Sequence, residues 1–128
     1  MIWPPEIGEP LPRGEDAYGI HEKLVGYSLK VGHEDGGPKA AAFARILGIT
    51  PADADYLVTA LLAGIRSLPV SEVRDAGEHG MHCQVIVPVR GLRERNDRVA
   101  NVLTAWEIRS DGDAPRLVTA FITSKFIR

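Results

Sequence analysis

The sequence contains a single cysteine, Cys83, which excludes an internal disulfide and a cysteine-rich zinc site. No apolar run approaches the roughly 20 residues that a membrane-spanning helix requires. The first residues show no basic region followed by an apolar stretch, so no secretory signal is recognised. These absences predict a domain without membrane contact that works in the cytoplasm, or in the cytosol of a cell into which it is delivered.

A basic excess is also lacking. Fifteen Lys and Arg residues stand against seventeen Asp and Glu, a net charge of -2, whereas proteins that coat nucleic acid without selectivity usually carry a basic excess. A locally basic cleft for one RNA segment stays compatible with this balance, because net charge does not describe distribution. The Walker, GxGxxG, HExxH, GxSxG and DxDxDG motifs are absent, which removes the usual support for several enzyme classes.

The length and the prolines predict the domain organisation. A chain of 128 residues with 45% hydrophobic and 25% charged residues suits one globular domain. Four of the nine prolines fall within residues 1–20, with glycines between them, and such a stretch holds neither a helix nor a central strand. We therefore expect a proline-rich arm or linker over residues 1–20 and a single domain over residues 21–128.

Two helices are predicted before residue 67. Pro38 suits a first helical position, and apolar residues recur at helical spacing until Gly48 ends the run. Thr50 and Asp53 form a capping box that begins a second helix, which is expected to end near Arg66. The short apolar stretch over residues 23–29 is too brief for periodicity to decide its type.

Four strands are predicted after Pro69. Residues 70–74, 83–89, 99–109 and 116–123 are rich in β-branched side chains and are separated by short turn-forming spacers, which favours an antiparallel meander. Helices followed by strands give an α+β fold, with N-terminal helices packed on a four-stranded antiparallel β-sheet.

The loop before the first of these helices is a candidate anion site. Gly36, Gly37 and Pro38 lead directly into the helix, so unpaired backbone N–H groups and the positive helix end would face a phosphate. Lys39 lies in the first helical turn, where a cation is mildly unfavourable, and His33 is a group that can act as acid or base near pH 7. The alternative is a tight glycine turn beside which His33 is incidental.

The last predicted hairpin offers a second set. Arg116 and the hydroxyls of Thr104 and Thr119 could contact a phosphodiester from an exposed sheet face, with Trp106 stacking on a base. Alternatively, Trp106 is a core residue, the threonines are strand formers and Arg116 pairs with an aspartate of the turn at 110–113. A metal site would need carboxylates that cannot be placed beside the two histidines of residues 79–82, which read as exposed turn residues. We expect no metal and no cofactor.

The order of several segments resembles a family of uncharacterised bacterial domains that occur at the C-terminus of polymorphic toxins. This family is similar to the barnase–EndoU–colicin–RelE group of metal-independent ribonucleases. The segments that carry the resemblance are Lys23-Leu24-x-Gly26-Tyr27-x-Leu29, His33-x-x-Gly36-Gly37-x-Lys39-Ala40-x-x-Phe43, Leu47-Gly48-Ile49, Ala105-Trp106-x-Ile108 and Pro115-Arg116-Leu117-Val118-Thr119-Ala120.

The resemblance implies cleavage of RNA, with tRNA a prime substrate, by attack of the ribose 2′-hydroxyl to leave a 2′,3′-cyclic phosphate. By the same resemblance His33 would be the general acid or base, Lys39 and Arg116 would stabilise developing charge, and Thr119 would position the phosphate. A cognate immunity or antitoxin protein would be the partner. The implied substrate-binding residues are Gly36, Gly37, Thr104 and Trp106.

A different class of function fits the same sequence. A non-catalytic module of a larger bacterial protein could bind a protein partner through its sheet face or its proline-rich arm. This hypothesis predicts that the side chains of His33, Lys39 and Arg116 lie far apart in the fold.

Overall fold

The computed structural model describes residues 3–124 and shows three helices followed by a four-stranded antiparallel sheet. This confirms the predicted α+β fold. Helix α1 (Ile20–Lys23) continues as a π-helical turn (Leu24–Ser28), and helix α2 (Gly37–Ala42) continues in the same way (Phe43–Leu47). Helix α3 (Ala54–Ile65) follows a 3-10 turn (Pro51–Asp53). The strands are β1 (Val70–Asp75), β2 (Met81–Arg90), β3 (Val99–Ile108) and β4 (Arg116–Thr123).

The helix ends follow the predicted local signals. Gly48 adopts a left-handed φ of 66° after α2, and the next amide, that of Ile49, donates 3.1 Å back to the carbonyl of Phe43. Glycine has no Cβ that would clash in this conformation, so it ends the helix without strain. At the start of α3, the Thr50 amide donates to Asp53 Oδ2 at 2.9 Å, as the capping box predicts.

The sheet is a meander with strand order β1-β2-β3-β4. Trp106 of β3 pairs with Leu117 of β4, whereas the preceding residue, Ala105, pairs with Thr119. Val118 is therefore the extra residue of a β-bulge, and the simple alternation expected along β4 is broken there. Short turns join consecutive strands, because each spacer carries glycine or aspartate where the chain reverses.

The core lies between the helices and one face of the sheet. Leu57, Leu61 and Ile65 of α3 recur at helical spacing and are fully buried against β2 and its neighbours. Gly64 permits the close approach, since a Cβ there would lie 2.5 Å from a methyl of Val87. Trp106 is the largest side chain with no exposed surface, and Cys83 is buried beside it in the same core.

The segment from Tyr18 to Ser28, which includes α1 and its π-helical turn, covers the outer edge of β4. The Leu117 amide donates to the carbonyl of Tyr18 at 3.1 Å, and the Tyr18 amide donates to the carbonyl of Pro115 at 3.0 Å. Further along, the Ala120 amide donates to Ser28 Oγ at 3.3 Å. These bonds satisfy backbone groups that an edge strand otherwise leaves unpaired, and they hold the segment around α1 against β4.

The described part of the proline-rich stretch packs on the domain rather than leaving it. Leu11 belongs to the core, and the amide of Gly8 donates to the carbonyl of Val70 at 2.9 Å. The Val70 amide in turn donates to the carbonyl of Glu9 at 2.8 Å, so this stretch extends the pairing at the start of β1. Residues 1 and 2 lie outside the described residues.

No single helix among residues 3–124 is long and apolar enough to cross a membrane. The helical segments Gly37–Leu47 and Pro51–Ile65 pass that test of length and composition only as a pair, and they are bent by 76° where they meet.

Candidate functional site

Lys39 occupies the centre of a polar cluster at the edge of β4. Its ammonium donates to the hydroxyl of Tyr27 and, at 3.3 Å, to Oγ1 of Thr119. The nitrogen also lies 4.3 Å from the ring centroid of Tyr27 and 5.4 Å from that of Phe121, both within the range of cation–π attraction. Within residues 3–124, no carboxylate oxygen lies at ion-pair distance from this ammonium. We call Tyr27, His33, Lys39, Thr119 and Phe121 the lysine cluster.

The hydrogen-bond pattern of this cluster leaves three donors available. An ammonium has three N–H donors, and two of them are used on Tyr27 and Thr119. Both hydroxyls accept from Lys39, and neither donates to another described group, so each keeps its own O–H for a further acceptor. One positive charge and three spare donors therefore meet at one place, which is the arrangement that an anion with several oxygens requires.

His33 joins the cluster through Tyr27 and also holds the loop before α2. Its ring lies edge-on to that of Tyr27, with 5.0 Å between centroids. Nδ1 accepts from the amides of Asp35 and Gly36, each at 3.0 Å, and the His33 carbonyl accepts from the Gly37 amide at 2.8 Å. Because Nδ1 is an acceptor, the proton of the neutral ring is assigned to Nε2.

These contacts correct one expectation about the glycine loop. The amides of Gly36 and Gly37 were expected to be free for a phosphate, but both are satisfied by His33. Gly36 has a packing role instead, because a Cβ there would lie 2.1 Å from the carbonyl oxygen of Tyr27. The loop builds the lysine cluster by fixing Tyr27, His33 and Lys39 together.

Arg116 lies in a second cluster, centred on the buried carboxylate of Glu107. Its Nη2 donates to Glu107 Oε2 at 3.2 Å, as does Arg109 Nε at 3.2 Å. Glu107 Oε1 lies 3.3 Å from His82 Nε2, and His82 Nδ1 lies 2.9 Å from Arg74 Nη2. Since an arginine only donates, the neutral His82 ring carries its proton on Nε2, toward Glu107. The turn aspartates considered for Arg116 are not its partners.

The Glu107 cluster carries an excess of positive charge. Two arginines, Arg109 and Arg116, and His82 contact one carboxylate that is only 7% exposed, and a third arginine, Arg74, contacts His82. Burial raises the pKa of the Glu107 carboxyl, but the hydrogen bonds from its three basic neighbours outweigh it, so the pKa lies below its ordinary value. His82 was expected in an exposed turn, and this was wrong: it belongs to β2 and its side chain is 26% exposed.

A cleft of about 540 Å³ joins the two clusters. Tyr27 of the lysine cluster lines it from the π-helical turn, and Arg116 of the Glu107 cluster lines it from β4. The other lining residues are Tyr18, Gly19, Glu22, Lys23, Gly26 and Leu117. Of the three residues His33, Lys39 and Arg116, only Arg116 lines this cleft. His33 and Lys39 lie behind it, where they share a direct neighbour, the Tyr27 ring.

Two predicted substrate-binding residues are core residues instead. Thr104 and Trp106 both have no exposed surface. The Trp106 Nε1 donates to Thr104 Oγ1 at 2.8 Å, and that hydroxyl donates to the carbonyl of Val85 at 2.7 Å. They lie on the same strand face, as expected, but it is the face that the helices cover.

The sequence-based interpretation missed Tyr27 and Glu107. Tyr27 was visible as part of the segment that resembles the toxin domains, but its place between His33 and Lys39 depends on the path of the loop. Glu107 was not predicted as a site residue because a glutamate in a strand normally faces solvent. No group of three or more His, Cys, Asp or Glu side chains within residues 3–124 is placed to hold a metal ion.

Comparison with known proteins identifies the family. A family model described as a domain of unknown function (DUF6883) matches residues 10–124, which is most of the chain, and the chain belongs to this family. The match begins inside the proline-rich stretch and spans all the helices and strands described above. No curated protein and no solved structure matches the chain.

Proposed function

We propose that this DUF6883 domain binds an RNA phosphodiester at the lysine cluster and cleaves it as a metal-independent endoribonuclease. In the reaction, the ribose 2′-hydroxyl gives its proton to water and its oxygen forms a bond to phosphorus, while the bond from phosphorus to the 5′-oxygen breaks and the 5′-oxygen takes up a proton from water. The products are a 2′,3′-cyclic phosphate and a 5′-hydroxyl end. The observation that supports the proposal is the Lys39 ammonium, which orients two hydroxyls and has no carboxylate partner among residues 3–124.

The lysine cluster suits the transition state better than the ground state. Attack by the 2′-oxygen adds negative charge to the non-bridging phosphate oxygens, and fixed donors aimed at that charge lower the barrier. Lys39 supplies the positive charge and one N–H, while Tyr27 and Thr119 supply O–H donors. Thr119 acts on the phosphate through its own proton and positions the ammonium through its oxygen.

His33 contributes as a neutral hydrogen-bond donor in this proposal. Its Nδ1 accepts from two amides of the loop, so this nitrogen is not free to contact the substrate. The Nε2–H is the group left to contact the substrate. This role differs from that of a general acid or base, and a neutral imidazole is known to act in this way at other active sites. Arg116, which lines the cleft from β4, attracts the RNA backbone beside the reacting phosphodiester.

The test uses purified protein, total tRNA and EDTA. New 5′-hydroxyl and 2′,3′-cyclic phosphate ends are the expected products. Lys39→Met is expected to reduce the cleavage rate by about 100-fold or more, the effect of removing one charge-stabilising donor. Lys30→Met is the matched control, because Lys30 is an exposed lysine outside the cluster.

A second pair of variants separates the two roles of His33. Asparagine keeps a side-chain oxygen that can accept the amides of the loop, whereas alanine does not. We expect His33→Asn to fold with nearly the stability of the wild type and to lose activity as severely as His33→Ala. Full activity in His33→Asn would show that the imidazole only holds the loop. If the wild-type protein does not cleave RNA, the proposal is contradicted and the protein-binding module is favoured. If EDTA abolishes the cleavage, the proposal is contradicted and a metal-dependent reaction is favoured.

A further inference from the structure

Gly26 is a glycine that the fold itself does not require. It lies within the π-helical turn after α1, lines the cleft, and does not adopt the left-handed φ that favours glycine. A Cβ at this position would meet no atom within 4 Å outside its own helix and its chain neighbours. Glycine inside a helix costs roughly 0.5–1 kcal/mol relative to alanine. A residue that destabilises its helix, with no close packing to explain it, keeps the cleft open.

Tyr18 places an exposed aromatic ring at the same cleft. Its side chain lines the cleft, and the residue is 54% exposed, which is unusual for a large ring. The backbone of Tyr18 is fixed by its two hydrogen bonds to β4, so the ring is carried by an anchored residue rather than by a free loop. Tyr27 supplies the second ring.

The charges that line the cleft favour an anionic ligand with a polar aromatic part. Lys23 has no carboxylate at ion-pair distance within residues 3–124, and its ammonium lies 5.7 Å from the Tyr27 ring centroid. Arg116 adds a guanidinium on the β4 side, and Glu22 offers an acceptor for N–H groups. The volume of about 540 Å³ lies within the usual range for small-molecule sites.

We propose that the cleft is a nucleotide subsite. It takes one base of single-stranded RNA against Tyr18 and Tyr27, with the adjoining phosphate on Lys23 and Arg116. Stacking of a base on an aromatic side chain contributes about 1–3 kcal/mol and tolerates any base, while the two cations attract the backbone. The inference rests on the proposed function, because this nucleotide is the neighbour of the phosphodiester bound by Lys39.

The binding test avoids any dependence on catalysis. A 2′-O-methyl RNA dinucleotide has no free 2′-hydroxyl at the linkage and is not cleaved by the proposed reaction. We expect its titration into ¹⁵N-labelled full-length protein to shift the amide signals of Gly19, Gly26 and Tyr27. Gly26→Leu is expected to weaken binding at least tenfold, because the new side chain fills the cleft, while the melting temperature stays equal to that of the wild type or rises. Val25→Leu is the matched control, an exposed neighbour that does not line the cleft.

A second pair of variants tests the stacking. Tyr18→Ala is expected to weaken binding at least fivefold, and Tyr18→Phe to preserve it, since the ring rather than the hydroxyl carries the contact. Unchanged dinucleotide binding in a stably folded Gly26→Leu protein, or shifts confined to another surface, overturns the nucleotide subsite. Dinucleotide binding in the cleft without any RNA cleavage supports the subsite and contradicts the proposed function alone. RNA cleavage that Gly26→Leu leaves unaltered contradicts the subsite alone.

Discussion

The ion pair between Asp53 and Arg93 gives a stability prediction that can be worked from distances. Arg93 Nη2 donates to Asp53 Oδ1 at 2.7 Å and Nη1 donates to Oδ2 at 3.1 Å, so the pair is bidentate. The Thr50 amide donates to the same carboxylate at 2.9 Å. The bond thereby ties the turn after β2 to the start of α3, across two elements that the sequence places 40 residues apart.

These contacts lower the pKa of Asp53 from 3.8 to about 2, chiefly through the hydrogen bonds from Arg93 and then that from Thr50. At about 1.4 kcal/mol per pH unit, the difference corresponds to about 2.5 kcal/mol of folding free energy. The Arg93 side chain is 53% exposed, so solvent screening reduces the value. We expect Asp53→Asn to lower the free energy of unfolding by about 1–2 kcal/mol at pH 7.

The pH dependence has a defined sign. The folded pKa lies below the unfolded one, so the stabilisation is present above pH 3.8 and is lost as the pH falls toward 2. Urea unfolding, followed by tryptophan fluorescence to which buried Trp106 contributes, measures the difference in unfolding free energy between wild type and Asp53→Asn at pH 7, 4, 3 and 2. Asp55→Asn is the control, because that side chain is 97% exposed. A gap that stays constant from pH 7 to pH 2 would refute the charge-based reasoning.

Two further predictions concern buried groups. Thr104→Val removes the acceptor of the Trp106 indole and is expected to lower the free energy of unfolding by about 1–3 kcal/mol, measured by urea unfolding. Thr104→Ser is the control, because serine retains the hydrogen bond. Loss of RNA binding in a folded Thr104→Val protein would indicate that Thr104 does belong to the binding site. Burial raises the pKa of Cys83 to about 11, so iodoacetamide is expected to leave the native thiol unmodified at pH 8 and to label it fully in urea; stoichiometric labelling of the native protein would contradict the burial of this side chain.

The elements could be predicted because their signals are local. The capping box at Thr50, the glycine at 48 and the β-branched runs each fix the conformation of a few consecutive residues, and the structure places helices and strands there. The order of these elements then sufficed for the α+β fold.

The site was less predictable because its contacts are not local. Strand alternation separates Trp106 from its neighbours but does not say which face the helices cover, so its burial required the tertiary structure. Arg116 pairs with Glu107 instead of an aspartate that is closer in sequence, because the register of β3 and β4 places Arg116 and Glu107 opposite each other. Lys39 and Thr119 are 80 residues apart in the sequence, and no spacing of residue types predicts their contact.

The pairing of Tyr18 with the start of β4 has a consequence for the order of assembly. The meander consists of neighbouring hairpins, whose strands pair with strands close in sequence. The segment around α1, by contrast, pairs through Tyr18 with β4, which is far away in the sequence. During synthesis, residues 18–28 emerge before residues 116–120, so the cleft cannot form until the second segment is available. A domain arranged in this way completes its binding surface only after β4 has left the ribosome.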